Sequence, residues 1–294
     1  MPELMIEFVY VAEAFEWWLV GMAVRLGGYQ PHYFPRLHCI ARMLDSDISP
    51  IADYVQYVRK HAYPGPNGTR VNGPSYQAQT PIKTSTGVLL LGVPVAHAGK
   101  RQRINEARIS YETPWQEKHL NIIEQNYRTA PHFSEVFPQL REILMRRYET
   151  LADLSVASLT WSLTTLFGTG ARASLEDVRT ALPYEGARLR NLLLVSKTPV
   201  APPDKDAGRD ANEWIIDMCR HFGADEYYFG GTSATCYMDF KRFEDAGIAL
   251  KQQAWQCGAY PQQHGGFTPN LSILDLLMNA DTARARTILH TPAA

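Results

Sequence analysis

Apolar and polar positions along the chain change period often enough to mark its elements. Runs of aliphatic and β-branched residues predict strands at 23–29, near 48–55, at 87–96 (GVLLLGVPVA), at 188–196 (RLRNLLLVS), at 225–230 and at 247–253. Apolar residues recurring every three to four positions predict helices at roughly 35–46, 114–129, 134–149, 150–166, 174–182, 209–222, 238–246 and 271–281. Punctuation supports several of these. Thr113-Pro114 sets a cap and a proline before one helix, Gly168 and Gly170 close the long helical stretch, and Asp210 and Gly223 bracket another. From 209 to 253 the chain reads helix, strand, loop, helix, strand, and such alternation implies parallel strands joined by crossover helices. The expected architecture is an open, mostly parallel α/β sheet with a helical middle segment at about 114–182. Two loops interrupt the pattern. Residues 64–81, rich in Pro, Gly and Asn, read as an active-site flap or a mobile hairpin, and 198–208 (TPVAPPDKDAG) reads as a surface connection.

Composition narrows this picture by exclusion. The 294 residues fit one large domain or two small ones, and the 45% of apolar residues supply a core without a metal or disulfide staple. With 29 Lys+Arg against 30 Asp+Glu, the net charge of −1 gives no field that would attract nucleic acid or an anionic membrane. Cys39, Cys219, Cys236 and Cys257 form no C-x-x-C pair, which argues against a zinc ribbon or a thioredoxin motif. They are expected to be reduced thiols of a cytoplasmic protein, with one catalytic cysteine left open. Residues 5–24 are apolar, but Glu7, Glu13 and Glu16 interrupt them and no basic residue precedes them, so neither a signal peptide nor a membrane span is expected. Residues 1–21 are expected to be a peripheral extension, with Met22 an alternative start, and 22–285 one α/β domain.

In a Rossmann-like sheet of this kind ligands bind outside the carboxyl ends of the strands. The first strand ends there in Tyr29-Gln30-Pro31-His32-Tyr33-Phe34-Pro35, ahead of a helix. Gln30, His32 and Tyr33 are candidates to line the cleft; the competing reading is an aromatic turn that packs the strand end. The tetrapeptide Y-Q-P-H loosely resembles the T/H-x-G-H signature of nucleotidylyltransferases. The second strand ends in a cluster of Asp53, Gln56, Tyr57, Arg59 and Lys60, which can grip a phosphate or carboxylate and orient an amine, or form an ordinary solvated edge. Lys118-His119 lies on a helix whose face also carries Trp115 and Ile122, so His119 is a second candidate base or a packed core histidine. Gly230-Gly231-Thr232-Ser233 follows a strand; Gly231 and Ser233 can contact phosphate, but the Gly-Lys-Ser/Thr ending of a P-loop is missing. Asn270 or Ser272 can cap the closing helix, on which Asp275 and Asn279 share a face that can line a pocket. No metal cage is apparent, though a transient Mg²⁺ held by phosphates stays open.

Together these segments resemble the WbqC-like protein family. The family start, approximately H-Q-P-N-Y-F-P-W, is matched by Tyr29 to Arg36, and its D-D-V-Q-Y-x-K by Asp53 to Arg59. Its K-I-N-E is matched by Arg103 to Glu106, K-H-L by Lys118 to Leu120, and Y-x-x-A-P-Y-F by Tyr127 to Phe133. The closing F-x-P-x-L-S-I-x-D-L-L-x-N is present in full at Phe267–Asn279. Departures concentrate at the start: the family histidine is Tyr29, the asparagine His32, the tryptophan Arg36, and the later lysine Arg59. If that first histidine is the base, the role has moved to His32 or been lost. The resemblance implies surface-polysaccharide or natural-product biosynthesis and an enzyme that acylates an amino sugar or similar amine. On that expectation the catalytic candidates are His32, His119, Tyr29 and Asp53. Gln30, Tyr33, Gln56, Tyr57, Arg59, Lys60, Lys118, Gly231, Ser233, Asn270 and Asp275 are the binding candidates. The substrate is expected to be a small molecule, nucleotide- or carrier-linked, and no cofactor is assigned. Alternatives are a nucleotidyl or adenylyl transferase and a non-catalytic scaffold protein.

Overall fold

The computed structural model describes residues 23–64, 70–96, 101–169, 174–204, 208–231 and 238–290. A five-stranded parallel sheet forms its centre: β1 (Arg25–Leu26), β2 (Ile48–Ile51), β7 (Asn191–Leu194), β8 (Glu226–Phe229) and β9 (Ala249–Gln252). In space the order is β7-β2-β1-β8-β9, with Leu26 opposite both Ile48 and Tyr227. The first three strands in the chain are laid down outward in one direction and the last two in the other, so the order reverses beside β1. That is the Rossmann-like order, and its reversal point lies between β1 and β8. Helix α1 (Leu37–Leu44) follows β1; α6 (Ala211–Phe222) and α7 (Phe240–Asp245) precede β8 and β9.

Residues 52–190, between β2 and β7, carry two antiparallel hairpins, β3 (Lys60–Pro64) with β4 (Arg70–Pro74) and β5 (Gln79–Thr84) with β6 (Gly87–Gly92). The helices α2 (Trp115–Tyr127), α3 (Phe133–Met145), α4 (Leu151–Phe167) and α5 (Leu175–Thr180) follow, and α8 (Ile273–Asn279) and α9 (Thr282–His290) close the chain. Local chemistry fixes several ends. Thr150 and Asp153 form a capping box at the start of α4, and Gly168 ends it with φ +69°, a conformation that favours glycine. Inside α4, Ser158, Thr160, Ser162 and Thr164 donate to carbonyls three or four residues back, which lets hydroxyls be buried there without loss.

Every predicted strand and helix has a counterpart, most with trimmed ends. Three differences stand out. The 87–96 run becomes β6, paired only with β5 and outside the parallel sheet. The loop read at 64–81 holds β4, paired with β3, and the start of β5, so much of it is strand rather than loop. Helix α9 was not expected, because only Ala285, Ile288 and Leu289 of its arginine- and threonine-rich run are buried. The expected peripheral extension lies outside the described residues. Among the described residues no helix is long and apolar enough to cross a membrane.

Candidate functional site

Beyond Leu26 the backbone of β1 continues past Gly27 and Gly28 to Tyr29, which pairs with Ile51. Glycine is favoured at 27, where a Cβ would stand 2.0 Å from Ser46 Oγ. The Y-Q-P-H turn therefore sits at the carboxyl edge of the sheet beside the reversal point. Its Tyr29 hydroxyl accepts the His32 backbone N–H at 3.1 Å, and the two rings meet edge to face at 5.6 Å. Burial pushes the Tyr29 phenol well above its ordinary range, so it stays protonated and serves as a donor or acceptor rather than a base.

The imidazole of His32 lies against Tyr76, centroids 5.3 Å apart, and the Tyr76 hydroxyl donates to Gln30 Oε1 at 2.6 Å. His32 Nδ1 faces Cys39 Sγ at 3.7 Å, while its Nε2 is buried with no hydrogen-bond partner. A buried polar atom without a partner calls for an explanation, and the ring that carries this one lies beside a thiol at a strand end. Cys39, in the first turn of α1, is 2% exposed. His38 Nε2 stands 3.4 Å from its Sγ, and His38 Nδ1 lies 2.9 Å from Asn270 Oδ1. Asn270 Oδ1 also accepts the His38 backbone N–H at 3.0 Å, which identifies that atom as the oxygen and makes His38 Nδ1 the donor. Burial alone would raise the Cys39 thiol, but the imidazoles of His38 and His32 overcome it and hold the thiol well below its ordinary range. The partner effect appears at His38, which the adjoining sulfur raises against its own burial.

Arg42, one turn further along α1, donates to Gln253 Oε1, and a Cβ at Gly230 would stand 2.2 Å from its guanidinium. Gln253 in turn donates to the His38 carbonyl. Tyr29, His32 and Cys39 thus cluster where β1 runs into α1, and the Arg42 guanidinium lies beside Gly230 at the end of β8. Gly231 follows with φ +53°; Ser233 lies outside the described residues.

The remaining candidates go elsewhere. Asp53 is buried at the carboxyl edge of β2, where it accepts from the backbone N–H and hydroxyl of Ser196, so it clamps the turn after β7 rather than facing His32. Gln56, Arg59 and Lys60 are exposed and Tyr57 is half-buried, on the segment leading into β3. Gln77 joins that segment to the Y-Q-P-H turn: its carbonyl accepts the Tyr33 N–H and its side-chain oxygen the Val58 N–H. Tyr33 and His119 face each other inside the helical segment, Tyr33 hydroxyl to His119 Nδ1 at 3.0 Å, away from His32, and Lys118 is exposed. Burial, aided by Lys118, lowers His119 to about 4. Asp275 is fully buried and accepts from Tyr127, Tyr260 and Gln262, while Lys83 Nζ donates to Gln262 and to the carbonyls of Gly265 and Gly266. That network ties α2, β5, the 260–266 loop and α8 together. Asn270 caps α1 from a distance, and Ser272 caps α8.

Reading the sequence residue by residue did not single out Cys39, left open as one of four cysteines, nor His38, Arg42 and Tyr76. The pattern that could have found the first two is a histidine and a cysteine adjacent in the first turn of the helix after the first strand. A cleft of about 470 Å³ lies apart from this site, between Thr84–Thr86 and Gln125–Asn126. Among the described residues no group of three His, Cys, Asp or Glu side chains could hold a metal ion.

Over 200 residues the chain is 30% identical to the uncharacterized protein Rv1507c of Mycobacterium tuberculosis, covering 67% of this chain and 74% of that protein. No solved structure matches it significantly. The model of the WbqC-like protein family matches residues 30–287, which takes in the Y-Q-P-H turn from Gln30, the strands β2 to β9 and the helices α1 to α8; the chain belongs to the WbqC-like protein family.

Proposed function

We propose that the protein is a biosynthetic transferase that forms an amide, by acyl or aminoacyl transfer, on an amine of a sugar nucleotide or natural-product precursor. The observation that carries this reading is the buried, unpartnered Nε2 of His32 at the reversal point of the sheet. Amide formation needs a base for the amine, donors for a developing oxyanion and a grip on a charged carrier. His32 Nε2 is the base. The family histidine corresponds to Tyr29, and the two rings touch, so a basic nitrogen has moved only across that contact. Arg42 over Gly230 grips the anionic carrier, and Gln30, aligned by Tyr76, supplies a donor. The family resemblance supports surface-polysaccharide or natural-product biosynthesis as the setting, with a cytoplasmic site of action.

Deleting the gene in its host and comparing metabolites by untargeted mass spectrometry tests the reading. A free-amine intermediate should accumulate, lighter than the missing product by one acyl group. The wild-type gene should restore the product and His32→Gln should not. An unchanged metabolite profile would refute the proposal. Because the Y-Q-P-H turn joins a strand end to a helix start, nucleotidyl transfer is the second reading; His32-dependent pyrophosphate release from ATP by the purified protein would favour it instead.

A further inference from the structure

We propose that Cys39 is the covalent catalyst of this site, carrying the acyl group as a thioester with His38 as its proton partner and Asn270 as the positioning residue for His38. The inference rests on the acyl-transfer reading and adds to it a nucleophile. Three independent placements converge on the sulfur. His38 Nε2 lies 3.4 Å from Sγ, and the Asn270 oxygen fixes the tautomer that points this nitrogen at the thiol. His32 Nδ1 lies 3.7 Å from Sγ, with its opposite nitrogen buried and unpartnered. Cys39 also occupies the first turn of α1, where the aligned peptide dipoles of the helix favour a negative charge. A nucleophile, an imidazole and a side-chain amide in that order form a catalytic constellation recognised by geometry rather than by sequence position.

The titratable and charged groups around the sulfur are His38 and Arg42 on its own helix, Tyr29 at the strand end and His32 on the turn. The two imidazoles favour the thiolate against the sulfur's burial, and the Tyr29 phenol stays neutral. The other described thiols are opposite in character. Burial pushes Cys219 up to about 12, and Cys257 is also raised.

In the first step the Cys39 thiolate attacks the carbonyl carbon of a thioester donor. A C–S bond to Cys39 forms, the donor's C–S bond breaks, and the departing thiolate takes the Nε2 proton of His38. In the second step the amine attacks the Cys39 thioester. A C–N bond forms, the C–S bond breaks, and Sγ leaves with the electron pair. The amine proton goes to His32 Nε2 and from there to solvent, which reprotonates His38. The sum is acyl donor plus amine giving amide plus free thiol, with no oxidant or metal consumed.

The test begins with iodoacetamide labelling of the full chain from pH 5.5 to 9, mapped by peptide mass spectrometry against N-acetylcysteine as the reference thiol. At pH 6 Cys39 should react roughly tenfold or more faster than the reference, with Cys219 unlabelled, and His38→Gln should move its inflection upward. Labelling of Cys39 only at the pH of a free thiol, or no labelling of Cys39 at all, would overturn the proposal and leave the transfer reading standing. The second arm complements the deletion strain with Cys39→Ser and Cys39→Ala, each checked for a folded circular dichroism spectrum. Amide output should fall about 100-fold or more in both, since a serine hydroxyl lacks the thiolate's nucleophilicity. Wild-type output from either variant would remove Cys39 from catalysis. A deletion strain that loses no amide would instead sink the transfer reading itself, and the covalent step with it.

Discussion

Acidifying the protein from pH 7 to pH 4 should cost it about 3 kcal/mol through His119 alone. His119 is 4% exposed, held between the Tyr33 hydroxyl at Nδ1 and the Gly92 backbone, so its neutral form is satisfied at both nitrogens. Burial and the neighbouring Lys118 lower it from 6.5 to about 4. The unfolded chain therefore takes up the proton first. The stability this group contributes is fully present above pH 6.5, drains away as pH falls through the window from 6.5 to 4, and is gone below it. A depression of about 2.5 units at 1.36 kcal/mol each gives a limit near 3.4 kcal/mol, of which about 2 is lost by pH 5 and about 3 by pH 4. Urea unfolding followed by tryptophan fluorescence at pH 7, 6, 5 and 4 measures it. The wild type should lose about 2 kcal/mol more than His119→Gln between pH 7 and 5, because only the wild type carries this titration. Proton NMR should show the His119 Cε1–H resonance unmoved down to about pH 5. Titration of His119 at pH 6 or above, or equal pH slopes for the two proteins, would refute the argument and return His119 to the candidate bases, which need a value near the working pH.

The same reasoning sorts other residues. Asp53→Ala should destabilise by about 2–4 kcal/mol, read as a lower urea midpoint, because two bonds from Ser196 to a carboxylate are lost; loss of amide output with an unchanged midpoint would point to chemistry instead. Asp275→Ala should cost about 3–5 kcal/mol by leaving the Tyr127 and Tyr260 hydroxyls stranded, and Asp275→Asn should recover little, since three donors converge on the carboxylate and an amide would turn an N–H toward one of them. Gly27→Ala should lower the melting temperature through its collision with Ser46, by about 1–3 kcal/mol of stability, and Ser46→Gly should relieve most of it; the absence of any rescue would show that the collision is not the cause.

Much of the fold was legible along the chain because its elements are locally encoded. The helix at Asp210–Gly223 has a side-chain cap at one end and a left-handed glycine at the other, and both ends fall where the sequence puts them. Alternating helices and strands after 209 implied parallel strands, and β8 and β9 are parallel. The hairpin at Gln79–Gly92 was harder to place, since an aliphatic run has the same appearance whether it joins a buried sheet or a two-stranded ribbon. Among the site residues, the sequence placed Gln30 and His32 at a strand end ahead of a helix.

What the sequence determined by itself was the set of elements, the Rossmann-like class and the carboxyl-edge position of the Y-Q-P-H turn, because caps, glycines and apolar periodicity act over a few residues. Tertiary structure decided which polar side chains meet. Asp53 and Ser196 are far apart in the chain and adjacent in space, and so are His38 and Asn270. Whether a histidine serves as a base or a filler, and whether a cysteine is a thiol or a thiolate, depends on burial and on charges brought in by other elements. His119, Cys39 and Cys219 show the outcome: burial and a nearby cation lower one histidine, two imidazoles lower one cysteine against its burial, and burial raises the other.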